Sequence, residues 1–364
     1  MVLVRQESSL SIKVAGVSKH YRDTTVLDAV SLDIAAGEFV TLLGPSGSGK
    51  TTLLNIIAGF VRLDEGRVYF GDRDVSLLSP HKRDLGIVFQ NYALFPHMNV
   101  ADNVAFPLRA RRVGRARRDE QVKRALDLVR LGGYCDRRID QLSGGQRQRV
   151  ALARAVVFDP KIILMDEPLS ALDKQLREAM QIELRHLHQA LGATTVYVTH
   201  DQREALTMSD RIAVLQLGKL VQLDTPSNLY NRPLTRFVAE FIGESSLVPV
   251  QSGDSGSVRL GSVVLKSSHP VPAASSLLLA IRSETVVVAR DGQEQQNILE
   301  GVVGDIAYQG DSVLAFVDLV AGGRVMMRCA ARHDVTGMIP PVGEKVRLAL
   351  DPEHMVVVPA EDVA

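Results

Sequence analysis

The sequence predicts two domains, an α/β domain with a mainly parallel sheet followed by a smaller all-β domain. Up to about residue 243, short apolar runs alternate with amphipathic helical stretches, a pattern typical of a parallel sheet covered by helices. From residue 245, Val- and Leu-rich pieces are separated by Gly, Pro, Ser and Asp, which is typical of a barrel or sandwich. We therefore predict domains at residues 1–243 and 244–364.

The individual elements follow from the same patterns. The predicted strands of the first domain are Phe39–Leu43, Leu85–Phe89, Lys161–Met165, Thr195–Thr199 and Arg211–Leu215. The predicted helices are Thr51–Ala58, Glu120–Leu131, Gln146–Val157 and Leu176–Leu191. The strand-forming pieces of the second domain are Ser257–Leu265, Leu277–Val288, Gly301–Ile306, Ser312–Leu319, Arg324–Cys329, Lys345–Leu350 and Met355–Val358.

The composition is that of a folded protein with a sizeable core. Hydrophobic residues make up 46% of the 364 residues, and the 42 basic and 42 acidic residues cancel, so net charge gives no argument for nucleic acid or anionic lipid. Cys135 and Cys329 are far apart and outside metal-ligand spacing, which predicts reduced thiols of a cytosolic protein. Residues 1–10 lack a signal-peptide apolar run, and no stretch approaches the ~20 apolar residues that span a bilayer. A role at a membrane would therefore require a partner.

One segment is strongly basic. Arg109–Arg118 reads RARRVGRARR and could contact nucleic acid or phospholipid headgroups. The favoured interpretation is a solvated loop and helix start, since Asp119 and Glu120 follow and the rest of the chain is balanced.

Residues Gly44–Thr51 form a phosphate-binding loop motif. Their sequence GPSGSGKT fits G-x-x-x-x-G-K-[ST] between a predicted strand and a predicted helix, the context that distinguishes such a loop from a glycine-rich turn with a surface lysine. Its glycines allow successive backbone N–H groups to face one anion at the positive end of the helix. Lys50 is expected to reach the β- and γ-phosphates and Thr51 to bind Mg²⁺.

Two adjacent acids end an apolar strand. Asp166 and Glu167 follow Ile162–Met165, and buried carboxylates at such a place are costly unless metal or phosphate chemistry uses them. Because adjacent strand residues point to opposite faces, we expect different roles for them. We assign Asp166 to Mg²⁺ and Glu167 to polarising the attacking water as general base; a turn with solvated acids is the alternative.

A third motif indicates the family. Leu142–Gln146 reads LSGGQ, begins a predicted helix and lies 20 residues before Ile162 (162 − 142). Together with the phosphate-binding loop and the Asp-Glu strand, in this order, it resembles the signature of ABC ATPases over about residues 11–243. The resemblance implies that Gln90 senses Mg²⁺ and faces a permease, that Asp173 lies in the D-loop, that His200 contacts the γ-phosphate and that Tyr21 stacks on adenine.

The resemblance completes the predicted site. The expected catalytic residues are Glu167, His200 and Gln90, and the expected Mg²⁺ ligands are Thr51, Gln90 and Asp166. The expected ATP contacts are Tyr21, Gly44, Pro45, Ser46, Gly47, Ser48, Gly49, Lys50, Thr51, Thr52, Ser143, Gly144, Gly145, Gln146 and Asp173.

The family also implies an assembly. Two subunits pair head to tail, so that Ser143, Gly144 and Gly145 of one complete the ATP site of the other. A helical subdomain at about residues 91–160 would contact an integral membrane permease, and a periplasmic or extracellular solute-binding protein would act indirectly. The expected location is peripheral, at the cytoplasmic face of the inner membrane, and nucleic acid is not an expected partner. Whether the pair is identical or mixed stays open.

The remaining resemblances concern the tail and the cargo. Ala280–Glu284 (AIRSE) is close to the IRPE string of the transport-associated OB-like (TOBE) domain, with Ser283 where proline is usual.

Residues 89–97 and 237–244 are most similar to the spermidine/putrescine import ATPases. Ferric-iron, aminoethylphosphonate and, more distantly, sugar import ATPases are the alternatives. A soluble ABC ATPase acting on DNA or the ribosome, and a regulatory module whose β domain sequesters a partner, are the competing classes.

Overall fold

The computed structural model describes residues 9–254, 256–289, 297–331 and 339–361. The chain divides into two compact units, Met1–Pro226 and Ser227–Ala364. The two short helices that precede residue 243 therefore group with the second unit, and the domain boundary at 243/244 stays a prediction. The prediction that residues 1–10 contain no signal peptide concerns a segment whose residues 1–8 lie outside the described ranges.

The first unit alternates strands and helices. Its strands are β1 (Ile12–Tyr21), β2 (Thr24–Ile34), β3 (Phe39–Leu43), β4 (Glu65–Phe70), β5 (Arg73–Asp74), β6 (Gly86–Val88), β7 (Ile162–Asp166), β8 (Thr194–Thr199), β9 (Arg211–Gln216) and β10 (Lys219–Asp224). Its helices are α1 (Lys50–Ala58), α2 (Val100–Ala110), α3 (Arg115–Leu128), α4 (Gly144–Val156), α5 (Lys174–Leu191) and α6 (Gln202–Met208).

The predicted parallel sheet is present and carries the site. It has the strand order β10-β9-β3-β8-β7-β6, and all neighbouring strands are parallel except β10 and β9. Because β8 lies between β3 and β7, the segments that follow these three strands meet at one edge of the sheet. A second sheet, antiparallel with the order β2-β1-β4-β5, was not predicted from the sequence.

Alternate residues of the buried strands supply two hydrophobic cores. In β7, Ile163 and Met165 pack into one core, while Ile162 and Leu164 pack into the other. The first core is shared with α2, α3 and α4, which pack against one another and lie within the predicted helical subdomain. The second core joins the parallel sheet to α1 and to the antiparallel sheet. The residues of β7 that precede Asp166 are therefore held by packing on both faces of the sheet.

The second unit confirms the predicted all-β architecture. It begins with α7 (Pro226–Asn231) and α8 (Arg236–Phe241), followed by β11 (Ser245–Ser252), β12 (Ser257–Leu260), β13 (Val263–Lys266), β14 (Leu277–Arg282), β15 (Val287–Val288), β16 (Asn297–Tyr308), β17 (Ser312–Leu319), β18 (Arg324–Ala330), β19 (Lys345–Leu350) and β20 (Val356–Pro359). Two five-stranded sheets, β13-β12-β11-β14-β20 and β15-β19-β16-β17-β18, enclose one core. Among the helices of both units that the structure describes, none has the length and apolar character to cross a membrane.

Candidate active site

The loop Gly44–Gly49 connects β3 to α1 and has the backbone shape of an anion cradle. Gly47 and Gly49 have φ angles of 80° and 96°, a left-handed conformation that residues with a Cβ adopt only with strain. A Cβ on Gly44 would lie 2.2 Å from the carbonyl oxygen of Leu215 on β9, so this position also requires glycine. The loop therefore curls tightly in front of the N-terminus of α1, where backbone N–H groups are free to bind an anion.

Lys50 places a buried cation inside this loop. Its side chain is only 6% exposed, and its ammonium group donates hydrogen bonds of 2.8 Å to the carbonyl oxygens of Gly44 and Pro45. Burial lowers the pKa of Lys50, and the negative charges of Glu167 and Asp166 oppose that shift. The Ser48 hydroxyl is buried without a hydrogen-bond partner in the described chain. A phosphate would satisfy both groups, so the loop fits its predicted ligand.

Asp166 and Thr51 supply a pair of oxygen atoms beside the loop. The Thr51 hydroxyl donates to Oδ1 of Asp166 at 3.2 Å, because β7 ends at Asp166 near the start of α1. Burial raises the pKa of Asp166, while the hydrogen bond from Thr51 opposes the shift. A hydroxyl and a carboxylate are suitable ligands for Mg²⁺, which usually takes few protein ligands and completes its shell with phosphate oxygens and water.

Glu167 begins a turn rather than continuing β7. Its φ angle is 42°, in the left-handed region, and its N–H donates to the carbonyl oxygen of Val198 on β8 at 3.0 Å. Such a conformation costs about 1–3 kcal/mol in a non-glycine residue and is often found at functional sites. Asp166 therefore ends β7 and Glu167 lies in a strained turn, so the strand alternation expected from the sequence does not describe these two acids.

Three of the predicted residues meet at the Glu167 carboxylate. Nδ1 of His200, which follows β8, lies 3.1 Å from Oε1 of Glu167. Nε2 of Gln90, which follows β6, donates to Oε2 at 3.5 Å. The structure therefore brings Glu167, His200 and Gln90 together from the ends of three strands, and each carboxylate oxygen of Glu167 has one polar neighbour.

A buried network behind His200 was not found from the sequence. The hydroxyls of Tyr197 and Thr199 donate to Oε2 of Glu204 at 2.7 and 2.8 Å, and burial raises the pKa of Glu204. Arg177 donates to Asp201 at 3.3 Å and to the carbonyl oxygen of Leu172 at 2.9 Å. Since Leu172 precedes Asp173, this arginine connects the segment around His200 to the predicted D-loop. An arginine in an amphipathic helix gave no sequence signal for such a role.

The LSGGQ segment forms the N-terminus of α4. Ser143 is its N-cap and accepts from the N–H of Gln146 at 3.3 Å, while Oε1 of Gln146 accepts from the N–H of Ser143 at 3.0 Å. This capping box leaves N–H groups of the first turn free for an anion. Asp173 similarly caps α5 by accepting from the N–H of Leu176 at 2.9 Å. Across residues 9–361, outside the gaps given above, no hydrogen bond joins the LSGGQ segment to the phosphate-binding loop.

Tyr21 and the basic segment Arg109–Arg118 lie at the surface. Tyr21 ends β1, is 49% exposed and has the ammonium group of Lys19 5.2 Å from its ring centre. The basic segment spans the end of α2 and the start of α3 and is largely ion-paired: Arg109 pairs with Asp102, Arg111 with Asp84, and Arg115 and Arg118 with Asp119. The thiols of Cys135 and Cys329 are free.

Comparison with known proteins agrees with this geometry. The ABC transporter family profile matches residues 27–170, and the TOBE domain profile matches residues 279–358. The spermidine/putrescine import ATP-binding protein of Pseudomonas aeruginosa is 46% identical over 323 residues, which cover 86% of this chain and 89% of that protein. The Clostridioides difficile protein of the same name is 53% identical, covering 65% and 68%. The match to the Bacteroides fragilis protein, 51% identical, covers 67% of this chain but only 53% of that relative.

Solved structures match the first unit. A dimeric bacterial ABC transporter cassette has a TM-score of 0.54 at 36% identity, covering 59% of this chain and 98% of that one. A dimeric cassette in a post-hydrolysis state, bound to ADP and Pi, has a TM-score of 0.53 with the same identity and coverage. Fold and sequence together define a nucleotide-binding ATPase of the P-loop class. The chain belongs to the ABC transporter family, among the ATP-hydrolysing importer subunits that carry a TOBE domain.

Proposed function

We propose that this chain couples ATP hydrolysis to the import of polyamines, spermidine or putrescine, through a separate membrane permease. The names of the curated relatives support this cargo, and the arrangement of Gln90, Glu167 and His200 next to the phosphate-binding loop is the observation that carries the ATPase chemistry. The protein would act peripherally at the cytoplasmic face of the inner membrane, with a periplasmic or extracellular solute-binding protein delivering the cargo to the permease.

In this proposal the first unit binds MgATP. Lys50 and the N–H groups at the start of α1 hold the β- and γ-phosphates, and the exposed ring of Tyr21 stacks on adenine. Thr51, Asp166 and Gln90 would hold Mg²⁺, which neutralises phosphate charge when bound. The buried cation, the unpaired Ser48 hydroxyl and the Thr51–Asp166 oxygen pair support this assignment, because each offers a group that a phosphate or a cation would bind.

Hydrolysis is assigned to the Glu167 carboxylate. One oxygen faces His200 and the other faces Gln90, so the carboxylate is oriented to take a proton from a water molecule that attacks the γ-phosphate. His200, more than half exposed, would also donate a hydrogen bond to the γ-phosphate. Asp166 is assigned to Mg²⁺ and not to the attacking water, because its carboxylate accepts a hydrogen bond from Thr51, the other proposed oxygen ligand.

The LSGGQ segment would act on the ATP of a second subunit. Its free N–H groups lie at the N-terminus of α4, and the solved cassettes that match this chain are dimeric, which supports head-to-tail pairing with a second subunit. ATP bound between the two subunits favours the closed dimer by its differential affinity, and loss of the γ-phosphate allows reopening. The permease would use this cycle of closing and reopening to move the cargo.

Uptake measurements test both the importer role and the cargo. Cells that lack their own subunit would be complemented with the wild type or with Glu167→Gln and given labelled putrescine, spermidine, ferric iron, aminoethylphosphonate or a sugar. We expect polyamine uptake with the wild type alone. Uptake of a different cargo by the wild type alone would overturn the polyamine assignment, and equal polyamine uptake with both would overturn the role of hydrolysis.

A further inference from the structure

The segment that follows Gln90 has an unusual backbone. Tyr92 and Ala93 have φ angles of 59° and 47°, so two consecutive residues with side chains adopt the left-handed conformation. The N–H groups of these residues donate to the carbonyl oxygens of Phe89 and Asn91 in a tight turn. Because residues with a Cβ are strained in this conformation, other groups must hold the turn in place.

Arg154, near the end of α4, is the group that holds it. The guanidinium donates hydrogen bonds of 2.6 Å to the carbonyl oxygens of both Tyr92 and Ala93. Arg154 is 8% exposed, and no acidic side chain in the described ranges forms an ion pair with it. A buried arginine without a carboxylate is unusual, and burial lowers its pKa. Its planar group donates from two separate nitrogen atoms, one to each of the two neighbouring carbonyls.

The other end of the same segment is held by α2. The side-chain amide of Asn103, which is fully buried, accepts from the N–H of Phe95 at 2.8 Å and donates to its carbonyl oxygen at 3.1 Å. The segment after Gln90 is therefore attached at two points to the helical subdomain and cannot move independently of it.

We propose that Arg154 is a positioning residue that connects the LSGGQ end of α4 to Gln90 and, through Gln90, to Glu167. Arg154 lies ten residues after Gly144, about 15 Å along one rigid helix. A displacement of the LSGGQ end by a partner's nucleotide is carried by this helix to the carbonyls of Tyr92 and Ala93, two and three residues after Gln90. The placement of the Gln90 amide next to Glu167 then depends on whether the LSGGQ segment is bound to the partner's nucleotide. This inference rests on the proposed function.

A double-mutant cycle on ATP hydrolysis by the full chain tests the connection. Arg154→Met removes both hydrogen bonds and keeps much of the side-chain volume, and Gln90→Ala removes the group through which Arg154 is argued to act. We expect Arg154→Met to lower kcat by about 10- to 100-fold, the scale for a misplaced catalytic group, with little change in ATP affinity. In the Gln90→Ala background the same substitution should cause no further loss. Arg149→Met, which removes an arginine of α4 paired with Glu183 instead, is the matched control and should keep the wild-type kcat.

The outcomes separate this inference from the proposed function. Wild-type kcat in Arg154→Met, or losses that multiply in the double mutant, would overturn the role of Arg154 while the ATPase assignment stands. A wild-type chain that does not hydrolyse ATP would overturn the proposed function itself. If circular dichroism shows that Arg154→Met is unfolded, Arg154→Lys is used in the same cycle. We expect Arg154→Lys to lower kcat below that of the wild type and to cause no further loss in the Gln90→Ala background, and an unchanged kcat would contradict the proposal.

Discussion

Replacing Glu167 with glutamine removes the proposed base while leaving the shape of the site nearly unchanged. The amide can still accept from Gln90 and face His200, and glutamine tolerates the left-handed conformation of Glu167 as well as glutamate does. General-base catalysis contributes about 10²- to 10⁴-fold, and at 1.36 kcal/mol per tenfold this corresponds to about 2.7–5.4 kcal/mol of transition-state stabilisation. We therefore expect kcat to fall by about 10²- to 10⁴-fold while ATP affinity stays close to that of the wild type.

Steady-state phosphate release at saturating MgATP measures the fall in kcat, and calorimetric titration measures the affinity. Glu120→Gln, an exposed position on α3, is the control for loss of one carboxylate and should turn over at the wild-type rate. Turnover of Glu167→Gln near the wild-type rate would refute the assignment of Glu167 as base. A loss confined to ATP affinity would show that Glu167 binds substrate rather than activating water.

Three further substitutions test the phosphate and metal sites. Lys50→Met should weaken ATP binding about 10- to 150-fold in calorimetry, because a hydrogen bond to a charged group contributes about 1.5–3 kcal/mol. Asp166→Asn should abolish Mg²⁺-dependent binding in the same assay. Asp166→Asn should also be at least as stable as the wild type at pH 7. The pKa of Asp166 is raised in the folded state, so the contribution of this group to the free energy of unfolding is full at acidic pH and is lost as pH rises through that pKa. Gly44→Ala should lower Tm by several degrees in scanning calorimetry, because its Cβ would lie 2.2 Å from the Leu215 carbonyl oxygen and overpacking costs about 1–3 kcal/mol.

Elements with local signals could be predicted from the sequence. The strand β3 matches its predicted run Phe39–Leu43, and β17 matches Ser312–Leu319. The motif residues also lie in their expected local contexts, since Lys50 begins α1 and Ser143 caps α4. Such residues are readable because a glycine-rich turn or a capping box is specified within a few neighbouring positions.

Features that depend on distant partners could not be predicted. The antiparallel sheet was missed because β1 contains bulges, which interrupt the alternation that would have indicated a strand. The helix α2 was missed because Pro107 lies inside it. The piece Ser257–Leu265 contains two strands, since Gly261 adopts a φ of 57° and reverses the chain.

Buried arginines were the most important omission at the site. Arg154 donates to the carbonyls of residues about 60 positions earlier, and Arg83 donates to the carbonyl oxygens of Ile56 and Ile57 at the end of α1. An arginine is usually solvated, so its residue type gives no indication that it is buried against backbone carbonyls. The left-handed turn at Glu167 was equally invisible, because its sequence reads as the continuation of an apolar strand.

The measurement that tests the shared ATP site most directly is the mass of the chain in solution by light scattering. Glu167→Gln should retain ATP, so the account predicts that its mass doubles with MgATP and not without nucleotide. Adding Ser143→Arg should keep the chain monomeric with MgATP while it still binds nucleotide, because the new side chain would project into the partner's phosphate site. A mass of Glu167→Gln that does not change with MgATP, or doubling that persists with Ser143→Arg, would contradict a site built from two chains.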